Sequence, residues 1–240
     1  MTTSVLRDQG LWVAGTRFRP VASALALSYE AELKDDTTLG DTTRSNLPGL
    51  RVITASHEGL YDADPYDSDM DALIGAAAFP ASFGADGVTE GGVAYFFRAA
   101  QSSLERSAEI GELFGYSVAL AGAKGGPLVR GTLMHDAAKT VTGTGTARNL
   151  GALSSNQKAY AALHVVAASG TTPTLDVTIE SDDASGFASP LTRLTFAQVS
   201  ATGHDWQELA SPVTDTWWRV KWTIGGTSPS FDFAVVLGLQ

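Results

Sequence analysis

Cysteine is absent from this 240-residue chain, and basic residues are scarce. The lack of cysteine excludes a disulfide scaffold, a thiolate zinc site and a cysteine nucleophile. The 16 lysines and arginines are outnumbered by 26 aspartates and glutamates, for a formal charge of −10. The chain therefore lacks the basic surface of ordinary nucleic-acid binders and anionic-membrane binders. Its apolar runs are too short to cross a membrane, and we expect a soluble protein without a secretory signal.

Alternating apolar and polar residues are the main pattern in the sequence. Hydrophobic residues make up 44% of the chain, enough for a sizeable core. The alternation predicts half-buried antiparallel strands at 25–33, 93–97, 114–120, 175–179, 218–224 and 231–239. Two segments rich in Gly, Ser and Thr, 168–173 and 225–229, are predicted to be hairpin-like turns.

One short helix is predicted over residues 66–77, where Asp and Ser can cap the first free N–H groups. The same stretch holds an acidic run that raises the question of a calcium loop. Such a loop needs Gly at its sixth position and an acid at its twelfth, but counting from Asp67 these are Ala72 and Ala78. We therefore predict a helix start and a solvated loop, with no metal site.

A small, polar and Gly-rich stretch at 139–156 predicts a linker or connecting strand. It would divide the chain into a first domain at 1–138 and a second at 157–240. The predicted fold class is mainly β. It comprises an antiparallel β-sandwich or barrel with one short flanking helix, followed by a second, β-sandwich-like C-terminal domain.

The residue types that perform catalysis do not form a catalytic pattern. The four histidines, His57, His135, His164 and His204, show no metal-ligand spacing and are predicted to be mostly structural. The acids Glu30 and Glu32 alternate on the polar face of one strand, and Asp182-Asp183 is typical of a turn. We predict that the chain is not an enzyme and needs no cofactor.

Three tryptophans lie close together near the C-terminus. Trp218 and Trp222 share an apolar strand face with Val220 and Ile224, so they are predicted to be core residues. Trp217 points to the other face and is the candidate for a surface contact, such as stacking on a sugar ring. A carbohydrate-binding or host-recognition β-sandwich module is therefore one functional alternative.

The order of features over residues 20–135 suggests a family. A strand is followed by a long polar loop of the type D-x-T-T-x-G-D-x-x-[KR], a Pro48-Gly49 corner and a second strand that ends in Glu58-Gly59-Leu60-Tyr61. The helix at 67–77, the aromatic strand at 93–97 and a hairpin around 111–134 come next. In these features the chain resembles the tail tube (major tail) proteins of long-tailed, siphovirus-like bacteriophages. Residues 155–240 more weakly resemble the β-rich C-terminal half of some of these proteins.

The resemblance implies a structural virion protein of the phage tail, assembled in the cytoplasm of the host bacterium. Copies would form rings, of six subunits each if the chain follows the family, that stack into a hollow tube through which DNA passes without specific binding. The alternative within a virion is an outer decoration protein. Tail terminator, distal tail and tape-measure proteins would be its other partners, and no membrane insertion is expected. The ring-stacking or inter-subunit loop would contain Asp36, Thr37, Thr38, Leu39, Gly40, Asp41 and Arg44.

The acidic composition has a use in such a tube. DNA carries one negative charge per ~1.7 Å of its axis, so a basic wall would hold it and an acidic wall would let it slide. Glu30, Glu32 and Glu58 lie on the polar faces of the two strands that flank the loop. We hypothesise that these three acids line the lumen.

Overall fold

The computed structural model describes residues 9–40, 42–85 and 87–240. The predicted fold class is confirmed, because the chain is mainly antiparallel β-structure with one short helical segment. The strands are β1 (Gly10–Val13), β2 (Thr16–Arg17), β3 (Ala22–Asp35), β4 (Asn46–Leu60), β5 (Phe79–Gly84), β6 (Val93–Ser107), β7 (Gly115–Gly122), β8 (Val129–Lys139), β9 (Gly143–Thr144), β10 (Arg148–Asn149), β11 (Ala159–Asp182), β12 (Leu191–Thr195), β13 (Gly203–Leu209) and β14 (Trp217–Leu239).

The helical segment is shorter than predicted. A π-helical turn, Ala63–Asp67, leads into α1 (Ser68–Ala72). The prediction extended to residue 77, but Gly75 has a left-handed φ of +74°, which ends a helix. No helix in the described ranges is long and apolar enough to span a membrane.

The chain forms two compact units that do not follow the predicted domain limits. Unit 1 contains residues up to Pro20, Phe79–Arg98 and Val129–Gln240, and unit 2 contains Val21–Ala78 and Ala99–Leu128. The division differs from 1–138, 139–156 and 157–240 because β8 pairs with β14 from Thr132 to Lys139. The predicted connecting segment at 139–156 contains β9 and β10, which also pair with β14.

Unit 1 is organised around its two longest strands. β11 and β14 pair antiparallel from Ala159 opposite Leu239 to Asp182 opposite Trp217. The predicted turns at 168–173 and 225–229 are wrong, because the two segments pair with each other inside these strands. Gly170 and Gly226, with φ of +116° and +114°, lie where the register shifts, and they allow the strands to continue through bulges.

The tryptophans confirm where the core of unit 1 lies. Trp218 is fully buried and Trp222 nearly so, as predicted. The indole N–H of Trp218 donates to the carbonyl of Gly151, and that of Trp222 to the carbonyl of Val141, each at 2.9 Å. Both indoles thus bury a large apolar surface without leaving a polar atom unpaired.

Unit 2 is built on the sheet order β3–β4–β7–β6, in which β6 contributes residues 99–107. One face of this sheet, the core face, carries the buried side chains Ile53, Ala55 and His57 of β4, and α1 supplies the buried Met70. The hairpin predicted around 111–134 does not form. β7 pairs with β4 and β6, whereas β8 pairs with β14 in unit 1.

Candidate functional site

The most unusual surface of unit 2 is the outer half of the β3–β4 hairpin, residues 29–52, which we call the arm. The base of β4 is fixed by pairing with β7 from Thr54 to Leu60. Beyond Thr54, β4 pairs only with β3 among the described residues. Every described residue of the arm is exposed. A two-stranded ribbon with both faces in water is at best marginally stable by itself.

The arm nevertheless carries large apolar side chains. They are Tyr29, Leu33, Leu39, Leu47, Leu50 and Val52. Leu33 is 63% exposed and Leu50 is 79% exposed. The half-buried strand predicted at 25–33 is therefore wrong at its outer end, where the apolar face of β3 has no layer packed against it within its unit. Exposed apolar side chains grouped in this way are characteristic of interaction surfaces.

The predicted stacking loop is the tip of the arm. Its described residues, Asp36, Thr37, Thr38, Leu39, Gly40 and Arg44, are all exposed, and Asp41 lies outside the described residues. Hydrogen bonds close the tip: Ser45 N–H donates to Thr37 Oγ1 at 3.0 Å, and Thr37 N–H donates to Asp35 Oδ1 at 2.9 Å. Hydrogen bonds from the side chain and from the backbone N–H of Thr37 lower the pKa of Asp35. The tip is thus a closed turn, and its stacking role stays a prediction.

Glu30, Glu32 and Glu58 are brought together on one face of unit 2. Glu30 lies opposite Val52 and Glu58 lies opposite Ala24, and the two-residue period of β3 places Glu32 beside Glu30. All three are exposed on the side of the sheet away from the core face. We call this side the acidic face. That it faces a lumen stays a prediction.

Between these acids the acidic face is smooth. A shallow hollow of about 310 Å³ on it is lined mostly by small side chains, such as Ala26, Ser28, Thr54, Ser56, Ser102, Ala119 and Ala121. The ammonium group of Lys34 lies beside Glu32 and forms an ion pair with it. Glu30 accepts a hydrogen bond from Ser28 Oγ at 2.7 Å. The charges of Lys34 and Glu32 cancel in this pair, and the negative charge of the face comes from Glu30 and Glu58.

The acidic run at 62–71 has a structural role that its sequence did not reveal. The guanidinium group of Arg106, on β6, donates to Asp67 and Asp71, the first at 2.5 Å and the second at 3.0 Å. Gln101 donates from Nε2 to the carbonyl of Met70 at 2.8 Å. These contacts attach α1 to the sheet of unit 2. Only the fold brings Arg106 to these acids, 35 and 39 residues away in the chain.

A Ser–His pair lies in unit 1, but the hydrogen bond between the two side chains runs in the wrong direction for nucleophilic catalysis. His164 and Ser82 are completely buried, and Nε2 of His164 lies 2.8 Å from Ser82 Oγ. Nδ1 accepts the N–H of Gly15 at 3.3 Å, so Nε2 carries the proton and donates it to Ser82. The imidazole therefore cannot serve as the base for that hydroxyl. It fixes the β1–β2 turn to β11.

The remaining candidates form no common site. Trp217 is half-buried in β14 between Asn149 of β10 and Asp182 of β11, so its role as a surface aromatic stays a prediction. Asp182 accepts the N–H groups of Ala184 and Ser189, as expected for a turn. Among the residues that the structure describes, no group of three or more acids and histidines could hold a metal ion.

No protein-family model matches the chain, and no curated protein matches it. Several solved structures are similar to it, among them the following three. A chain of the virion of a native gene transfer agent is 16% identical, with a TM-score of 0.41, and a chain of the tail of an empty gene transfer agent particle, refined with C6 symmetry, is 18% identical, with a TM-score of 0.42. Each similarity covers 52% of this chain and 98% of the other.

The third is the Dit protein of phage SPP1, described as a paradigm of the hub adsorption apparatus in phages that infect Gram-positive bacteria. It is 8% identical, with a TM-score of 0.38, and the similarity covers 98% of this chain and 100% of the other. All three TM-scores are below 0.5, so these similarities carry no argument about function.

Proposed function

We propose that this chain is a structural subunit of a bacteriophage tail, whose copies assemble into rings that stack to form the tail tube. The arm is the observation that carries the proposal. It extends a two-stranded ribbon into solvent with six large apolar side chains on it. The resemblance of residues 20–135 to tail tube proteins supplies the kind of assembly.

The arm needs a partner for a thermodynamic reason. Burial of apolar surface stabilises a protein by about 25 cal/mol per Å². A lone hairpin gains little of this stabilisation, because its two strands bury little apolar surface against each other. A second copy packed on Tyr29 and Leu33, which share the face of β3 opposite Glu30 and Glu32, would supply the missing layer. Self-assembly therefore stabilises the arm, and the arm in turn holds the assembly together.

The free edges of unit 2 support a ring. β3 lies at one edge of its sheet, and residues 102–107 of β6 lie at the other. Exposed strand edges pair readily with other strands, and closure of a sheet removes them. A repeated edge-to-edge contact between copies closes when its rotation divides a full turn. We take six copies per ring from the family.

The acidic face supports the passage of DNA. We propose that Glu30, Glu32 and Glu58 point into the lumen, where their charge repels the phosphates and the small side chains between Glu30 and Glu58 leave a smooth wall. Unit 1 would decorate the outside or contribute to the ring. The tail terminator, distal tail and tape-measure proteins would be partners in a virion assembled in the bacterial cytoplasm. The role is structural, with no enzymatic activity.

The test is the concentration dependence of assembly. We expect the wild-type chain to form rings and tubes as its concentration rises, measured by light scattering after size-exclusion chromatography and by negative-stain electron microscopy. Leu33→Ser combined with Leu50→Ser removes two apolar contacts from the arm. Assembly should then require at least about tenfold more protein, because each buried leucine contributes about 2 kcal/mol.

The control is Leu191→Ser, which removes another exposed leucine, with 54% of its surface accessible, from β12 of unit 1. It should assemble like the wild type. A wild-type chain that stays monomeric at every concentration would refute the proposed function. Double-variant tubes that form at the wild-type concentration would show that the arm is not the assembly element.

A further inference from the structure

The negative charge of the chain is concentrated in unit 2. Its two segments, 21–78 and 99–128, contain 14 of the 26 acidic residues and only 5 of the 16 basic residues, for a formal charge of −9. Unit 1 contains the other 12 acidic and 11 basic residues, and its formal charge is −1. The acidic character of the chain is therefore a property of the smaller unit, and the larger unit is close to neutral.

The exposed apolar side chains are concentrated in the same unit. Of the 14 large apolar side chains that are exposed among the described residues, 12 belong to unit 2 and two to unit 1. Six of the twelve lie on the arm, and five lie in two segments that meet at the opposite end of β4: Leu60, Tyr61, Ile110, Leu113 and Phe114. Unit 2 thus carries both the surface that favours contact between copies and the charge that opposes it.

The carboxylates lie beside these apolar residues. Glu109 directly precedes Ile110 in the chain. Glu112 directly precedes Leu113, and all four side chains are exposed. The Cα atoms of adjacent residues are about 3.8 Å apart, well inside the distance of about 10 Å over which charges interact in 0.1 M salt. A contact that buries these apolar side chains therefore brings their carboxylates close enough to repel the neighbouring copy.

The basic residues of unit 2 do not offset this repulsion. Three of the five already face a carboxylate of their own copy: Lys34 faces Glu32, Arg44 faces Asp35, and Arg106 faces Asp67 and Asp71. The remaining excess is nine negative charges per copy. Copies that assemble through unit 2 must bring these like charges together.

We propose that the charge of unit 2 keeps free copies apart, and that screening of this charge by salt cations releases their assembly. The inference rests on the proposed function, because it names the condition under which the copies assemble. A net charge far from zero keeps a protein soluble and monomeric. The screening length falls from about 30 Å in 0.01 M salt to about 8 Å in 0.15 M salt, so the repulsion between copies weakens over this range.

The proposal fixes the sign of the salt dependence. Contacts between oppositely charged surfaces, such as those of DNA-binding proteins, weaken as the salt concentration rises. Assembly through unit 2 should instead become stronger. The protein concentration at which tubes appear should fall at least about tenfold between 0.01 M and 0.15 M sodium chloride. Light scattering and negative-stain electron microscopy measure this concentration.

The test variant is Glu109→Gln with Glu112→Gln, which changes the formal charge of unit 2 from −9 to −7. Repulsion between two copies scales with the product of their charges, so this change removes about 40% of it. In 0.01 M salt the variant should form tubes at about two- to threefold less protein than the wild type. Its assembly should also depend less on salt. Because the apolar side chains are unchanged, any general effect of salt on apolar contacts is the same in both chains.

The matched control is Asp183→Asn with Glu208→Gln, which removes two exposed carboxylates from unit 1. The net charge of the chain changes by the same amount, but the charge of unit 1 only passes from −1 to +1. The control should therefore assemble like the wild type at each salt concentration. Circular dichroism checks that both variants are folded.

Two results would overturn the proposal. One is wild-type assembly that does not change with salt or weakens as salt rises, and the other is a control that shifts as much as the unit 2 variant. In either case the wild-type tubes would leave the proposed function standing. A wild-type chain that stays monomeric at every protein and salt concentration would refute that function itself.

Discussion

His164 should make unit 1 sensitive to acid. Its imidazole is completely buried, and this burial, together with the nearby His204, lowers its pKa to about 3. In the unfolded chain the pKa would be about 6.5. Between about pH 3 and pH 6.5, His164 therefore binds a proton more readily in the unfolded chain than in the folded chain. The stabilising effect of a neutral His164 is complete above about pH 6.5 and is lost as the pH falls towards 3.

The size of the effect follows from the two pKa values. Each pH unit between them changes the free energy of unfolding by about 1.4 kcal/mol. From pH 6.5 to pH 4 the loss from His164 alone is therefore about 3 kcal/mol, an order-of-magnitude figure. This is a large part of the stability of a typical domain.

Tryptophan fluorescence can measure this loss in unit 1 alone. The five tryptophans, at positions 12, 206, 217, 218 and 222, all belong to unit 1. Urea unfolding followed by fluorescence between pH 4 and 7 would be compared for the wild type and His164→Gln, which cannot titrate. We expect the variant to be less stable at pH 7 and to depend less on pH. The difference in the free energy of unfolding between the wild type and the variant should be smaller at pH 4 than at pH 7 by about 3 kcal/mol.

The control is His57→Gln, which removes a buried histidine from unit 2, where there is no tryptophan. Burial lowers the pKa of His57 to about 4. Replacing His57 should leave unchanged the pH dependence of the free energy of unfolding that tryptophan fluorescence measures. Equal pH slopes for the wild type and His164→Gln would refute the reasoning, because they would mean that His164 is protonated alike in the folded and unfolded chains.

Two further predictions concern the arm and the strand bulges. Replacing residues 36–46 by a two-residue Asn-Gly turn should leave a folded subunit, measured by circular dichroism, but abolish stacking, measured by electron microscopy. Tubes that still form would show that the tip is not a stacking element. Gly226→Ala should destabilise unit 1 by about 1–3 kcal/mol in urea unfolding, because φ is +114° and a Cβ atom would lie 2.7 Å from the carbonyl oxygen of Thr172. Gly186→Ala, where a Cβ atom meets nothing within 4 Å, should change little, and equal effects would refute this account.

The alternation of apolar and polar residues was sufficient to predict many of the strands and much of the core. The alternation at 218–224 and 231–239 predicted strand positions, and the buried faces of Trp218 and Trp222 followed from it. This works because side chains alternate between the two faces of any strand, whatever the strand pairs with. The common face of Glu30 and Glu32 was predictable for the same reason.

The same patterns did not predict what each strand face packs against. Leu33 follows the alternation of a half-buried strand, yet it is exposed because the arm extends beyond the part of β4 that pairs with β7. The segments 168–173 and 225–229 have the composition of turns but form bulges, because each has the other as its pairing partner. A segment rich in Gly, Ser and Thr can adopt unusual backbone conformations. Whether it then forms a turn or a bulge depends on which strand it pairs with.

The sequence by itself determined the β-class, the absence of thiol chemistry, the acidic charge and the polar loop at 36–45. These properties depend on residue type and on spacing along the chain. Only the tertiary structure decided that the loop is the tip of an exposed arm, that Glu58 shares a face with Glu30 and Glu32, and that Arg106 holds α1. It alone placed an acidic, apolar patch at the far end of β4. Each of these depends on strand register and on contacts between residues distant in the chain, which the pairing of β3, β4, β7 and β6 establishes.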